Sequence, residues 1–192
     1  MNAPRVVVVG VGALGSHLIL LCRNLKANFV VIDDDKVEAK NVMSQFHTAM
    51  SVGKNKAQAL KDAMNGLFKV RIEAVPHRLV AGNVEKLLGD ADLVVDCLDN
   101  AASRQVIQDF VRARNIPCLH GALDPDGQFG RVVWSSNFLI DKEEPGRATC
   151  EDGQHLPFIA TTVSYLAWTI QQFANSGKMY NFNIFPGGVT RF

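Results

Sequence analysis

The sequence predicts an α/β fold of the Rossmann-like, doubly wound kind, a mostly parallel sheet with antiparallel strands added late in the chain. Three observations predict it. An apolar, β-branched run, Val6-Val7-Val8-Val9, opens the chain, and its unbroken apolarity suits a strand covered on both faces. A glycine turn, Gly10-Val11-Gly12-Ala13-Leu14-Gly15, follows at once. Beyond it, short apolar runs alternate with segments of helical periodicity.

The first strand is Arg5–Val9. Ala13–Lys26 is expected to be helical, with Leu14, Leu18, Leu21, Cys22 and Leu25 on one face. Phe29–Asp33 is the second strand. Lys54–Leu67 places Ala57, Leu60, Ala63, Met64 and Leu67 at helical spacing. Val70–Val75 alternates apolar and polar residues and reads as a strand. A short helix over Asn83–Leu88 and a buried strand over Leu93–Leu98 come next. Ala101–Arg114 is helical, and Pro117–His120 and Phe129–Trp134 are strands. Pro157 suits the first turn of a helix running to about Ser176, with Ile159, Val163, Leu166, Ile170 and Phe173 inward. Met179–Phe185 is the last strand, and Pro186-Gly187-Gly188 a turn that ends it. Two segments, Asp34–Gly53 and Ser135–Leu156, carry no regular pattern. Loops of about 20 residues are uncommon in a compact domain and are often functional.

With 192 residues and 47% hydrophobic content, a single domain over residues 1–192 is expected. The formal charge of +1 is spread along the chain, which speaks against a nucleic-acid or membrane partner. The opening apolar run is too short for a signal peptide, and no stretch approaches the roughly 18 residues of a membrane helix. The four cysteines, Cys22, Cys97, Cys118 and Cys150, form no C-x-x-C pair, so no structural zinc is expected. Cys22, Cys97 and Cys118 fall in helix or strand cores. A reducing, cytoplasmic home follows as an expectation.

The glycines begin the chemistry. Gly10 permits a tight turn out of the strand, Gly12 lets backbone approach a phosphate, and Gly15 lets helix and strand pack closely. Free N–H groups and the helix dipole then favour an anion. Asp33 ends the second strand about 20 residues on, where a carboxylate meets ribose hydroxyls; Asp34 and Asp35 extend the acidic turn. These features fit NAD, FAD, S-adenosylmethionine or ATP alike. Lys56, at the start of a helix, is placed to reach polyphosphate oxygens, with Lys54 as a rival. Asp99 follows a second buried strand. It either holds magnesium, which takes one or two carboxylates plus phosphate, or caps the helix starting near Ala101.

Together these segments resemble the ThiF/MoeB/HesA family of adenylating enzymes, which are related to ubiquitin-activating enzymes. The resemblance rests on Gly10-Val11-Gly12-Ala13-Leu14-Gly15-Ser16, Ile32-Asp33-Asp34-Asp35-Lys36-Val37-Glu38, Asn41-Val42-Met43-Ser44-Gln45-Phe46, Gly53-Lys54-Asn55-Lys56-Ala57 and Cys97-Leu98-Asp99-Asn100 with Arg104. It continues through Ile116-Pro117-Cys118-Leu119-His120-Gly121-Ala122, Gly127-Gln128 and Thr149-Cys150-Glu151-Asp152-Gly153. It implies binding of Mg-ATP and of the Gly-Gly C-terminus of a ubiquitin-like or sulfur-carrier protein, whose carboxylate attacks the α-phosphate. By residue matching, Gly10, Gly12 and Gly15 form the nucleotide turn, Asp33 holds the ribose, and Asp35 belongs to the ATP site. Asn41, Gln45 and Lys56 line the phosphates, Asp99 takes magnesium, and Asn100 and Arg104 support the pocket. A homodimer or heterodimer is implied as well.

One departure stands out. The family pattern has arginine before the glutamine; here it is Ser44, which supplies neither the charge nor the planar fork. Cys150 falls where active members carry a thioester- or persulfide-forming cysteine. The helix begun near Pro157 lowers a thiol pKa there, while Glu151 and Asp152 raise it. Two alternatives stay open: a non-catalytic ThiF-like subunit or binding module, and a nicotinamide-dependent oxidoreductase. His17 and His120 fall near the pocket, with no serine or cysteine partner at a recognisable spacing.

Overall fold

Strand β1 (Arg5–Val9) is the centre of the molecule because it can be nowhere else: every side chain from Val6 to Val9 is apolar, so both faces need cover. It lies parallel between β2 (Asn28–Ile32) and β4 (Leu93–Asp96), with Val7 opposite Val30 and Val94. Val7 and Val8 are fully buried, each contributing about 1.5–3 kcal/mol relative to an exposed position. The computed structural model describes residues 3–140 and 155–192.

On one face pack helices α1 (Ala13–Leu21), α2 (Lys56–Phe68) and α5 (Leu156–Ser176), against a core that includes Leu18, Leu60, Met64, Ile159 and Leu166. On the other pack α3 (Val84–Leu88) and α4 (Ala101–Arg114), with Leu88, Ile107 and Val111 inward. Strands β3 (Glu73–Val75), β5 (Cys118–Leu123), β6 (Gly130–Trp134), β7 (Phe182–Phe185) and β8 (Gly188–Arg191) complete an eight-stranded sheet of order β3-β2-β1-β4-β5-β6-β7-β8. From β3 to β5 the neighbours are parallel, and from β5 to β8 they are antiparallel. The change follows from connection length: β5 and β6 are joined by a short turn with Gly127 at φ +69, which only a hairpin can use.

Several boundaries differ from the sequence expectation, for local reasons. Helix α1 stops at Leu21 rather than Lys26: Arg23 turns back to donate to the Leu20 carbonyl and so satisfies a helix-end acceptor. Only Glu73–Val75 of the expected Val70–Val75 strand pairs, because the chain leaves α2 through Lys69 in the left-handed region, and the Val70 N–H returns to Met64. Pro186-Gly187 is a turn as expected, but it leads into β8, where Phe185 pairs with Gly188.

Segment 34–53 is not structureless. It folds into two short 3-10 turns, Ala39–Asn41 and Ala49–Ser51. It is also tied to the start of α2 through backbone bonds from Val37 to Lys54 and from Lys56 to Asp35. No helix among the described residues is long and apolar enough to cross a membrane.

Candidate nucleotide-binding site

The sheet order reverses between β1 and β4, and the carboxyl ends of those strands open onto a cavity of about 460 Å³. That is where doubly wound sheets bind ligands, and the size suits a small molecule. The glycine turn forms its floor. Gly10 is in the left-handed region at φ +87, and a Cβ there would lie 2.9 Å from the Cys97 carbonyl oxygen. A Cβ at Gly15 would lie only 1.9 Å from the Gly10 carbonyl oxygen, so helix and strand meet backbone to backbone. Gly12 is different. The nearest neighbour of a Cβ there is Gln45 Nε2 at 3.8 Å, and both residues face the cavity.

Asp33 holds this turn. Its carboxylate accepts from the Val11 N–H at 2.8 Å and the Asp35 N–H at 2.9 Å, which ties the end of β2 to the glycine loop. Burial pushes its carboxyl up, and the Val11 bond and the Lys56 ammonium pull it back only in part, so it stays above the usual range. His47 holds the next peptide of the turn, since Val11 O can only accept and Nε2–H therefore donates to it at 2.9 Å. Burial holds His47 below the usual histidine pKa. Its other ring nitrogen, Nδ1, is buried without a partner, an arrangement suited to the neutral ring.

Lys56 opens α2 with its side chain almost covered and its Nζ 2.9 Å from Asp35 Oδ2. Burial alone would lower the ammonium pKa, but Asp35, Asp33 and Asp99 together hold it above the ordinary value. Asn55, which sequence reasoning passed over, caps α2 by accepting from the Gln58 N–H and donates to the carbonyls of Asp33 and Asp35. An asparagine directly before a helix was the available signal.

At the end of β4 the structure separates two readings of Asp99. The cap of α4 is Asn100, whose side-chain oxygen accepts from the Ser103 N–H at 2.9 Å. Asp99 itself is exposed on the cavity wall. Its carboxylate, exposed on the same lining as Lys56 and not the cap of α4, fits a magnesium ligand, which needs only one or two carboxylates besides phosphate. Arg104, one turn into α4, donates Nε–H to the Leu98 carbonyl and Nη2–H to the Gly121 carbonyl, each at 2.7 Å. It lines the cavity with its guanidinium fixed.

Gly10, Gly12, Asp33, Asp35, Gln45, Lys56, Asp99, Asn100 and Arg104 thus share one cavity, whose lining also includes His77 and Arg78. Gly15 lies behind the wall. Asn41 is buried in the 3-10 turn, accepting from the Glu38 N–H, and is not on the lining. Ser44 is fully buried and also off the lining. The position that looks like a missing phosphate contact is therefore interior here. Cys150 lies outside the described residues. Burial pushes Cys22 up to about 12 and raises Cys97 and Cys118 as well; Cys22 and Cys118 are core thiols, whereas Cys97 is half-buried on the cavity lining.

His17 Nδ1–H donates to the Ala13 carbonyl at 2.8 Å, within its own helix. His120 proved to have the partners its sequence neighbours did not reveal: Asp96 at 2.8 Å on Nδ1, and Ser135 at 2.9 Å on Nε2.

A strand, a glycine turn, a helix and a carboxylate at the next strand end define a nucleotide-binding α/β domain. A lysine, an arginine and an exposed aspartate share its cavity. Comparison with known proteins makes this specific: residues 1–174 match the ThiF family, and the chain belongs to it. It is 38% identical over 124 residues to the SAMP-activating enzyme E1 of Haloferax volcanii, covering 63% of this chain and 46% of that one. It is 32% identical over 185 residues to the probable adenylyltransferase/sulfurtransferase MoeZ of Mycobacterium tuberculosis (88% and 47%). With the sulfur carrier protein adenylyltransferase of Thermus thermophilus the figures are 37% over 134 residues (67% and 49%). The chain spans about half the length of these relatives.

Among solved structures, E. coli MccB with ATP superposes with a TM-score of 0.81 at 14% identity, covering 100% of this chain and 63% of that chain. PaaA gives 0.76 at 16%, covering 100% and 64%. These likenesses show the shared fold.

Proposed function

We infer that this domain is an ATP-dependent adenylyltransferase. It activates the C-terminal glycine carboxylate of a ubiquitin-like or sulfur-carrier protein ending in Gly-Gly. The observation that carries the reading is the release of Asp99 from helix capping: Asn100 does that work, and Asp99 lies exposed on the same cavity as Lys56 and the glycine turn. A nicotinamide enzyme has no use for that carboxylate. Relatives named adenylyltransferases support the same reading.

In this reading Asp33 and Asp35 hold the ribose, and Gly12 admits the phosphates. Gln45, Lys56 and Arg104 surround the point where charge develops as a carboxylate oxygen attacks the α-phosphorus and pyrophosphate leaves. Fixed positive groups are most effective there. Asp99, with Asn100 beside it, would hold magnesium, which would neutralise phosphate charge. The acyl adenylate so formed is open to attack by sulfur or nitrogen, and Cys150 is assigned that second step. The protein acts as a homodimer or heterodimer, in the cytoplasm, with neither nucleic acid nor membrane as partner.

ATP–pyrophosphate exchange, with and without a carrier ending in Gly-Gly, tests the first step. Exchange that depends on both magnesium and carrier is expected, and none with any such carrier refutes the assignment. A non-reducing gel tests the second: Cys150→Ala should keep exchange and lose a reducible carrier adduct, and an adduct that survives moves the role to another cysteine.

A further inference from the structure

Behind Arg104 lies a buried polar chain. Asp96, the last residue of β4, is fully buried, and its register partner on β5 is His120, also fully buried. Their side chains share the sheet face under α4, and Asp96 Oδ2 meets His120 Nδ1 at 2.8 Å. The same carboxylate oxygen is 3.6 Å from Arg104 Nε, while Oδ1 accepts from the Leu98 N–H at 2.9 Å. Leu98 is also the residue whose carbonyl receives Arg104 Nε–H. Asp96 therefore fixes both the arginine and the backbone that the arginine grips.

The chain continues outward. His120 Nε2 is 2.9 Å from Ser135 Oγ and 3.5 Å from Cys118 Sγ. The Phe138 ring stacks on His120 at 3.9 Å, and the Arg104 guanidinium lies over the same ring at 5.4 Å. Gln108 and Arg112, further along α4, donate to the carbonyls of Ser135 and Phe138 and fasten that turn. A fully buried carboxylate is expensive unless paired. Burial would push Asp96 up, yet Arg104 and His120 hold it below the usual range, so Nδ1 must carry the proton it shares with the carboxylate.

A Ser–His–Asp order suggests a nucleophile, but neither His120 nor Ser135 lines the cavity. What does reach the cavity is Arg104, at the Asp96 end. With Nε and one Nη2 proton committed to carbonyls, its remaining N–H groups are left for a ligand. We propose that Asp96 and His120 are positioning residues that orient Arg104 toward the reacting phosphate, through a buried chain ending at Ser135. This rests on the adenylation reading for what Arg104 does, though not for how it is held.

The test reads both. In protein labelled with 15N-arginine, the Arg104 Nε–H signal is assigned by its loss in Arg104→Lys, and its solvent exchange is measured. The wild type should show a protected signal. In Asp96→Asn and His120→Gln, checked by thermal melt, its exchange should quicken about tenfold or more. Pyrophosphate exchange should lose roughly 10–100-fold in kcat, with KM for ATP nearly unchanged. Neither substitution should cause further loss in an Arg104→Ala background. Protection that persists in both variants, or losses that add fully to that of Arg104→Ala, overturns the proposal. If both variants fail to fold, Ser135→Ala decides in their place: quicker Arg104 Nε–H exchange supports the chain, and unchanged exchange overturns it. A wild type that turns over no ATP sinks the adenylation reading, while the arginine signal still decides the positioning.

Discussion

Gly12→Ala and Gly15→Ala, three residues apart in one turn, should fail in opposite ways. At Gly15 the new Cβ falls 1.9 Å from the Gly10 carbonyl oxygen, against the 3.4 Å at which ordinary contact begins. Gly10 cannot yield easily: at φ +87 it is itself wedged against the Cys97 carbonyl. Overpacking costs about 1–3 kcal/mol, and backbone against backbone belongs at the upper end. For a chain of this length about 3 kcal/mol lowers Tm by roughly 6–12 °C. At Gly12 the Cβ meets nothing nearer than Gln45 Nε2 at 3.8 Å, and φ is −74. The new Cβ has room, so the overpacking loss at Gly15 is not expected here, but with ψ at −138 the backbone lies outside the ordinary α and β regions and no gain in stability is expected. The space it fills is the phosphate's, so Mg-ATP affinity should drop about tenfold or more, or at least 1.4 kcal/mol. Thermal melts and titration calorimetry on both variants give the answer. Wild-type ATP affinity in Gly12→Ala would refute the approach of phosphate to this turn.

Asp99→Asn should leave the melt unchanged, because Asn100 is the cap, and should cut pyrophosphate exchange about 100-fold or more; exchange at the wild-type rate removes Asp99 from the chemistry. Ser44→Arg should not restore a phosphate contact. The site is fully buried, so a melt lowered by a few degrees without tighter ATP binding is expected, and tighter binding would show that the fork reaches the cavity. Stability should also fall as pH drops below about 6.5. His47 has a lowered pKa in the folded state, so the unfolded chain takes up the proton first and gains on the native state. Denaturant titrations across pH 5 to 8 should show that part of the loss missing in His47→Gln, whose amide can still donate to Val11; an identical pH dependence would acquit His47.

The legible parts of the site were those whose chemistry is local. The glycine turn, Asp33 and Lys56 sit where a strand ends or a helix begins, and such positions are fixed by a few neighbouring residues. Asn100 and Asp99 show the limit of that reasoning: either can cap a helix beginning at Ala101, and only the Ser103 N–H bond decides between them. Ser44 shows another limit, because its family position implies a pocket contact while its turn packs it inside. The Asp96–His120–Ser135 chain was illegible for a different reason. Its members come from β4, β5 and the end of β6, and nothing in their spacing announces that Asp96 and His120 are register partners. Strand β8 escaped because its apolar content is slight; it is an edge strand paired only through the Pro186-Gly187 turn.

The cavity's own charges decide in what form ATP enters. Its lining carries Asp33, Asp34, Asp35 and Asp99 against Lys56, Arg78 and Arg104, so carboxylates outnumber strong cations. Lys56 is already paired with Asp35 and Arg104 with the buried Asp96, so both cations are charge-balanced before a ligand arrives. A bare triphosphate brought here faces Asp99 directly, and like charges in a partly desolvated cavity repel by several kcal/mol at close range. A divalent cation bound to the phosphates reverses that term, since the exposed carboxylate then becomes a ligand. ATP affinity should therefore fall at least tenfold when magnesium is chelated. In Asp99→Asn the difference should shrink from both sides, with weaker Mg-ATP and stronger metal-free ATP. NADH, with fewer charges and no metal, should bind less well than Mg-ATP throughout. Calorimetry with ATP, ADP and NADH, each with and without magnesium, makes the comparison, and a preference for NADH or an ATP affinity indifferent to magnesium would sink the argument.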